Sequence, residues 1–321
     1  MKKLVIFNVG GALSAYAEID DKKIMIDLGA GSNFSPVDNF LIPLAKIRNF
    51  KKTDNKRNIG KYEINQLFLS HLDNDHISDF TKFMDIFYPI FLTCPNDNNK
   101  PDFNGQKQSE LFKINTDLYG EENDVKKLVL THMREERSPR MANTPLVSIS
   151  ENISLFFIKP KECELVEELR VNYANNISLI LFIELNGKSI LFPGDILPDG
   201  MSYLIQNNPD FKSKLNNIGV DFLIAPHHGL STSFSERLFQ ELAGNRTRLN
   251  IISEKVRRQD SEENRSIVDS RYYITEYSSG QNSLEKNAVK TSLGHIVIDL
   301  ESGDGEIKQL QDISEVLKEF I

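Results

Sequence analysis

Short apolar segments recur along the whole chain and are separated by polar stretches. Apolar runs of about four to eight residues that are rich in Val, Ile, Leu and Phe are typical of β-strands. Asn186-Gly187 lies between two of these runs and indicates a tight hairpin turn. The predicted strands are Leu4–Asn8, Ala12–Ile19, Lys23–Asp27, Gln66–Leu69, Ser154–Ile158, Ser178–Leu185, Ser189–Phe192, Phe222–Ala225, Leu249–Ile252 and Ile296–Ile298.

Helical segments are predicted between some of these strands. They are His76–Phe87, Glu162–Val171, Ser233–Leu242 and Asp312–Phe320. Strands joined by hairpins and mixed with helices are typical of a layered α/β domain. We therefore expect one domain over residues 1–321, with irregular, polar insertions near residues 32–61 and 257–280.

The N-terminal segment has two interpretations. Lys2 and Lys3, followed by an apolar run, imitate a short signal peptide. The alternative is a first core strand that leads without a break into the next two strands. We favour the strand, because Asn8 interrupts the apolar region and removal of the segment would take leading strands from a sheet.

Composition narrows the class of protein. The charged fraction is 26% and the net charge is -8, so the molecule as a whole is not built to coat nucleic acid. Its two cysteines match no zinc-binding spacing and favour a reducing compartment. Apolar runs fall short of the roughly 18 residues that a membrane helix needs. These features predict a cytoplasmic protein without membrane contact.

The most informative segment follows the predicted strand that ends at Leu69. Within six residues it holds two imidazoles and two carboxylates: His71, Asp73, Asp75 and His76. These groups are ligands of zinc, manganese and iron. In an extended loop, alternate side chains point to the same side. One metal cannot easily use all four groups, so the segment predicts a site for two.

Two later strands end in further potential ligands. Asp195 follows a buried strand and a glycine, which is where a carboxylate bridging two cations would lie. His227 and His228 follow the strand that ends at Ala225. His227 is a predicted ligand, whereas His228 is equally consistent with a ligand or substrate contact and with a structural role.

The order of these motifs resembles a known family. In chain order the motifs are Phe7-Asn8-Val9-Gly10-Gly11, Asp27-Leu28-Gly29, His71-x-Asp73-x-Asp75-His76, Asn175-Asn176-Ile177-Ser178, Gly194-Asp195 and Pro226-His227-His228-Gly229. Together they resemble the metallo-β-lactamase-fold hydrolases. The motif at 71–76 and the Pro-His-His-Gly motif are most similar to the soluble domain of ComEC, a competence DNA-uptake protein.

The resemblance implies a four-layer αββα sandwich with a metal site at one edge of its two sheets. Its implied metal-site residues are His71, Asp73, Asp75, His76, Asp195 and His227. Hydrolysis in the family uses a metal-activated hydroxide, and Asp73 or Asp75 would orient or deprotonate that water. The expected cofactors are two divalent ions, Zn2+ or Mn2+, with Mg2+ as a further option because Asp73 replaces a histidine of the general pattern.

The substrate is the least constrained part of the prediction. His228, Asn175, Asn176 and Ser178 are candidate substrate contacts, although a turn explains the asparagines equally well. A basic stretch between residues 46 and 61 would attract a phosphate backbone or simply be a solvated loop. We expect a phosphodiesterase or nuclease acting on nucleic acid or a nucleotide.

Other functions are consistent with the same residues. One alternative is a hydrolase of lactones, thioesters or other small molecules, because a fold does not decide function. Another is a degenerate, metal-poor member that binds a partner protein or nucleic acid. The histidine that the family usually carries before the Gly-Asp motif is missing, which motivates this second alternative. His132 lies at a poor spacing to replace it.

Overall fold

The predicted strands assemble into two sheets in the computed structural model. The structure describes residues 1–54, 58–95, 150–254, 268–301 and 303–321, without the side chains of 160 and 161. The first sheet has the strand order β13 (Glu306–Leu310), β12 (His295–Asp299), β1 (Lys2–Ile6), β2 (Ser14–Ile19), β3 (Lys22–Leu28), β4 (Tyr62–Phe68), β5 (Phe87–Thr93). The second has the order β11 (Ala288–Lys290), β10 (Leu249–Ile252), β9 (Phe222–Ile224), β8 (Lys188–Phe192), β7 (Ile180–Leu185), β6 (Ile153–Phe156).

Alternation of buried side chains along the strands gives each sheet two covered faces. In β1, Leu4 and Ile6 enter the layer between the sheets, while Val5 faces the helices outside. In β7, Leu181 enters the inner layer and Phe182 packs outward. This period of two is the one expected of a sheet buried on both sides. The four-layer αββα sandwich predicted from the sequence is therefore confirmed.

Helices form the two outer layers. Against the first sheet pack a π-helical turn (Val37–Leu41), α1 (Ile42–Ile47), α2 (Asn74–Ile77), α3 (Phe80–Ile86) and α10 (Ile313–Glu319). Against the second sheet pack α4 (Pro160–Leu165), α5 (Glu167–Arg170), α6 (Tyr173–Asn176), α7 (Pro198–Asn207), α8 (Pro209–Asn217) and α9 (Glu236–Glu241). Within the described ranges, none of the helices combines the length and hydrophobicity needed to span a bilayer.

Strand direction decides where the functional loops meet. β3, β4 and β5 run parallel in the first sheet, and β8, β9, β10 and β11 run parallel in the second. The carboxyl ends of parallel neighbours lie at the same edge of a sheet, and the following loops meet there. The loops after β4, β8 and β9 are those that carry the predicted ligands.

The description of residues 32–61 as irregular and polar is wrong for residues 37–47. Val37, Phe40, Leu41 and Leu44 are fully buried against the first sheet. Their spacing places all four on one helical face, so the segment completes the core of that layer. Lys56 and Arg57 of the basic stretch lie outside the described residues, as do residues 257–267 of the predicted insertion at 257–280.

The N-terminal strand is confirmed, since β1 pairs with β12 on one side and β2 on the other. The helix predicted over His76–Phe87 is broken after Ile77 and resumes at Phe80. β5, β11, β13 and the helices α7 and α8 were not predicted. β5 contains Pro89, which lowers a strand prediction but is tolerated at a sheet edge.

Candidate metal centre

The loop after β4 and the loops after β8 and β9 bring six predicted ligands and His228 together. His71 and His76 are fully buried, and the Asp195 side chain is 5% exposed. Asp73 and Asp75 are more open, at 29% and 39%. The cluster therefore has a buried floor of imidazoles and one carboxylate, and a rim of two carboxylates that face solvent.

Asp195 lies at the centre and has one oxygen toward each of two groups of side chains. Its Oδ2 is 3.6 Å from Nε2 of His71 and 3.6 Å from Nε2 of His227. Nε2 of His71 is also 3.6 Å from Asp73 Oδ2. We call His71, Asp73, His227 and Asp195 Oδ2 the first half-site.

The second half-site consists of Asp75, His76, His228 and Asp195 Oδ1. Asp195 Oδ1 is 3.3 Å from His76 Nε2, and His228 Nε2 is 3.0 Å from Asp75 Oδ2. One potential ligand atom from each residue lies within 4.8 Å of the other three. Each half-site thus offers two imidazole nitrogens and two carboxylate oxygens, which suits a divalent transition metal.

The chemistry of the donor atoms fits a metal pair. Nε2 of His71 and Nε2 of His76 are buried and, among the described residues, have no hydrogen-bond partner. Buried polar atoms are normally satisfied, so two unsatisfied nitrogens directed at the same carboxylate indicate that a ligand belongs between them. Asp195 is placed to share its two oxygens between the half-sites.

Asp27 and Ser70 orient the buried imidazoles from behind. Asp27 accepts hydrogen bonds from the Ser70 backbone N–H (2.7 Å) and hydroxyl (2.8 Å). Its Oδ2 also contacts His76 Nδ1 at 2.8 Å. The Ser70 hydroxyl lies 3.1 Å from Nδ1 of both His71 and His76. An Nδ1–H held in this way leaves Nε2 as the free ligand atom.

The charges of the cluster are strongly coupled. Burial would raise the pKa of the Asp195 carboxyl, but the His76 and His71 imidazoles hold it well below its ordinary value. Burial would lower the pKa of His76, but Asp195 and Asp27 hold it well above its ordinary value. A metal bound through Nε2 would therefore compete with a proton at His76.

The two rim carboxylates are also acidic. Burial opposes the ionisation of both, yet His71 lowers the pKa of Asp73, and His228 and His76 lower the pKa of Asp75. Both side chains are therefore ionised at neutral pH. Ionised, partly exposed carboxylates can hold a cation or accept a proton from water.

The predicted substrate contacts separate into different roles. Asn176 is buried; its amide donates to the Leu169 carbonyl (2.9 Å) and accepts from the Leu197 N–H (3.2 Å), so the side chain braces two helices. Ser178 is buried and its hydroxyl accepts from the Asp195 N–H (3.2 Å). Asn175 lies in α6, where its carbonyl accepts from the Ser178 N–H.

Sequence reasoning missed the supporting roles of Ser70, Ser178 and Ser233. The Ser233 hydroxyl lies 3.0 Å from His227 Nδ1. The role of Ser70 had a signal in the sequence, because Ser70 directly precedes His71. The role of Ser178 had none, because its partner Asp195 is remote in the chain.

Two histidines of the chain remain, His132 and His295. His295 is buried and accepts a hydrogen bond from the Asn8 N–H through Nδ1 (3.1 Å), so its partner lies in a different part of the fold. His132 lies outside the described residues.

The described part of the basic stretch lies far from the cluster. Lys46, Lys51 and Lys52 are exposed, and Lys52 pairs with Tyr62 at the beginning of β4. His71 follows the other end of that strand. At about 3.3 Å per residue, a strand of this length separates the two by roughly 20 Å.

Comparisons with known proteins give a loose resemblance in structure. No protein-family model matches the chain, and no curated protein is significantly similar to it. Among solved structures, Igni18, a metallo hydrolase from Ignicoccus hospitalis, is 12% identical with a TM-score of 0.38, covering 78% of this chain and 81% of its own.

Two further solved structures that resemble this chain have names that indicate other reactions. The short form of human tRNase Z is 13% identical with a TM-score of 0.32 and covers 70% of this chain and 77% of its own. CmlA, a diiron β-hydroxylase from Streptomyces venezuelae, is 12% identical with a TM-score of 0.38, and the match covers 78% of this chain and 45% of CmlA. All three TM-scores lie below 0.5, so the assignment of the site rests on this chain's own residues.

Proposed function

We propose that the chain is a metal-dependent hydrolase with two divalent cations, and that its substrate is a phosphodiester in nucleic acid or a nucleotide. The observation that carries this proposal is the pair of half-sites around Asp195, with two unsatisfied nitrogens directed at it. Two cations a few ångströms apart suit in-line displacement at phosphorus. The similarity of the Pro226–Gly229 motif to ComEC supports the nuclease branch.

The side chains have separate tasks in this function. The two half-sites would hold the cations, and Zn2+ or Mn2+ best suits their mixed nitrogen and oxygen donors. Bound cations would supply a water of lowered pKa and would offset charge on the attacked centre. Asp73 and Asp75, ionised and partly exposed, are the groups that can orient that water and accept its proton. Asp27 and Ser70 hold the imidazoles in the ligand orientation.

The deciding experiment measures metal content and cleavage in one preparation. Manganese, zinc or magnesium is supplied in turn with single-stranded DNA, double-stranded DNA and RNA. The Asp75→Ala variant should lose the metal of the second half-site and cleavage together. Asp38→Ala is the matched control, because Asp38 is a partly exposed aspartate paired with Lys82 on the outer helical layer.

Three outcomes separate the alternatives. Cleavage that requires metal, disappears in Asp75→Ala and persists in Asp38→Ala agrees with the proposal. Bound metal with hydrolysis of lactones or thioesters, but not of nucleic acids, would replace the phosphodiester by an acyl substrate. A wild-type protein that takes up less than one ion per chain would reject the hydrolase and favour a binding protein.

A further inference from the structure

The turn that carries two of the candidate ligands has an unusual backbone. His227 and His228 both have left-handed conformations, with φ of 48° and 58°. Residues other than glycine rarely adopt this region, and two in succession persist only where their surroundings determine the conformation. Because these histidines face different half-sites, whatever holds the turn acts on both.

The beginning of the turn is attached to the site itself. The His227 N–H donates to the Gly194 carbonyl (3.1 Å), next to Asp195. The end of the turn is attached to a separate segment. There the Asp269 N–H donates to the Gly229 carbonyl (2.9 Å), and Leu230 forms an antiparallel bridge with Val268.

Arg271 fixes Asp269 in place. Its Nε donates to Asp269 Oδ1 (3.0 Å) and one terminal nitrogen donates to Oδ2 (2.9 Å), which is the two-bond pairing that a planar guanidinium makes best. The Arg271 backbone N–H also donates to Asp269 Oδ1 (2.8 Å). The Asp269 side chain is only 9% exposed, while the Arg271 side chain is 40% exposed.

The same guanidinium also packs against Phe234, which follows the histidine turn in the chain. It lies 3.8 Å from the ring centroid of Phe234, in the stacked contact that arginine forms with aromatic rings. Phe234 follows Ser233, whose hydroxyl is 3.0 Å from His227 Nδ1. Arg271 therefore connects the segment that holds Gly229 with the segment that orients His227.

We propose that Asp269 and Arg271 are positioning residues that hold the His227–His228 turn in its left-handed form and so prepare both half-sites for metal. This inference rests on the proposed metal-dependent function. The two residues contact neither half-site directly, and their effect passes through Gly229, Phe234 and Ser233.

The test compares Arg271→Ala with Arg237→Ala. Arg237 is the matched control: its ion pair with Glu241 has 39% and 11% exposed side chains, against 40% and 9% for Arg271 and Asp269. Manganese and zinc affinities are measured by competition with a chelator, and cobalt-substituted protein is examined by visible absorption. Loss of a supporting contact to metal ligands typically weakens binding about 10- to 100-fold.

We expect Arg271→Ala to weaken both binding steps by about that factor and to change the cobalt spectrum, with Arg237→Ala unchanged in both. Arg271→Lys should fall between wild type and alanine, because an ammonium keeps the charge but makes neither the paired bonds nor the planar stack. Thermal unfolding of each metal-free variant identifies a simple loss of fold. If Arg271→Ala does not fold, the lysine variant decides by the same two measurements.

Two negative outcomes are distinguishable. Wild-type affinity and an unchanged cobalt spectrum in a folded Arg271 variant would overturn the positioning role and leave the metal-dependent function intact. The absence of metal binding by the wild-type protein would overturn the proposed function, and the positioning role with it.

Discussion

The loop that carries Asp195 depends on a glycine that no other residue can replace without cost. Gly194 has φ of 60°, and a Cβ built there would lie 2.9 Å from Ser178 Cβ and 3.0 Å from Ser70 Cβ. The backbone is held on both sides, because the Gly194 carbonyl accepts from His227 and the Asp195 N–H donates to Ser178. The Gly194→Ala variant therefore cannot relax without moving Asp195.

The magnitude follows from two contributions. A left-handed residue with a side chain costs about 1–2 kcal/mol, and an extra methyl group forced into a packed site costs about 1–3 kcal/mol more. Gly187→Ala isolates the first contribution, because Gly187 has φ of 75° but no described atom would lie within 4 Å of its Cβ. We expect losses of about 2–5 kcal/mol for Gly194→Ala and about 1–2 kcal/mol for Gly187→Ala.

Urea unfolding of the metal-free variants measures both losses, and chelator competition measures metal affinity. Gly194→Ala should also bind metal more weakly, since the displaced carboxylate is shared by both half-sites, whereas Gly187→Ala should bind as the wild type does. Equal free energies of unfolding for the two variants, with equal metal affinity, would refute the reasoning.

Two further predictions concern buried polar groups. In Asp27→Asn the new residue tolerates the left-handed backbone (φ 52°), but the charge beside Ser70 and His76 is removed. Metal affinity, measured by chelator competition, should therefore fall about 10- to 100-fold, while the circular dichroism spectrum stays unchanged. Burial lowers the pKa of His295 from 6.5 to about 4, so between these pH values the unfolded chain binds a proton at this residue and the folded protein does not. The free energy of unfolding should therefore fall as the pH falls from 6.5 toward 4. Urea unfolding across that range should show a loss of about 3 kcal/mol in the wild type that His295→Gln lacks.

The ligand loops could be predicted because each follows a buried strand. Apolar runs mark the ends of β4, β8 and β9, and polar residues that follow such ends project from the edge of a sheet. How the edges of the two sheets pack against each other could not be derived from any single apolar run in the sequence. It depends on the inner layer, where residues such as Phe68 and Phe192 from different sheets share one core.

The helix at residues 37–47 carried a signal that composition concealed. Val37, Phe40, Leu41 and Leu44 have helical spacing, but the surrounding polar residues suggested an irregular insertion. The roles of Asn176 and Ser178 carried no local signal at all. The Asn176 and Ser178 side chains accept hydrogen bonds from the Leu197 and Asp195 N–H groups, 21 and 17 residues away, so only the tertiary structure shows these contacts.

The candidate centre is a contact between the two sheets. The first sheet contributes His71, Asp73, Asp75 and His76 through one loop, while the second contributes Asp195 and the histidine pair through two. Neither sheet alone holds a complete half-site, because Asp195 is shared and each half-site takes one histidine from each sheet. These groups form a network of carboxylates and imidazoles at the edge of the apolar inner layer. Metal binding would replace that network with bonds that join the sheets directly, so the energy of binding is also energy that holds the sandwich together.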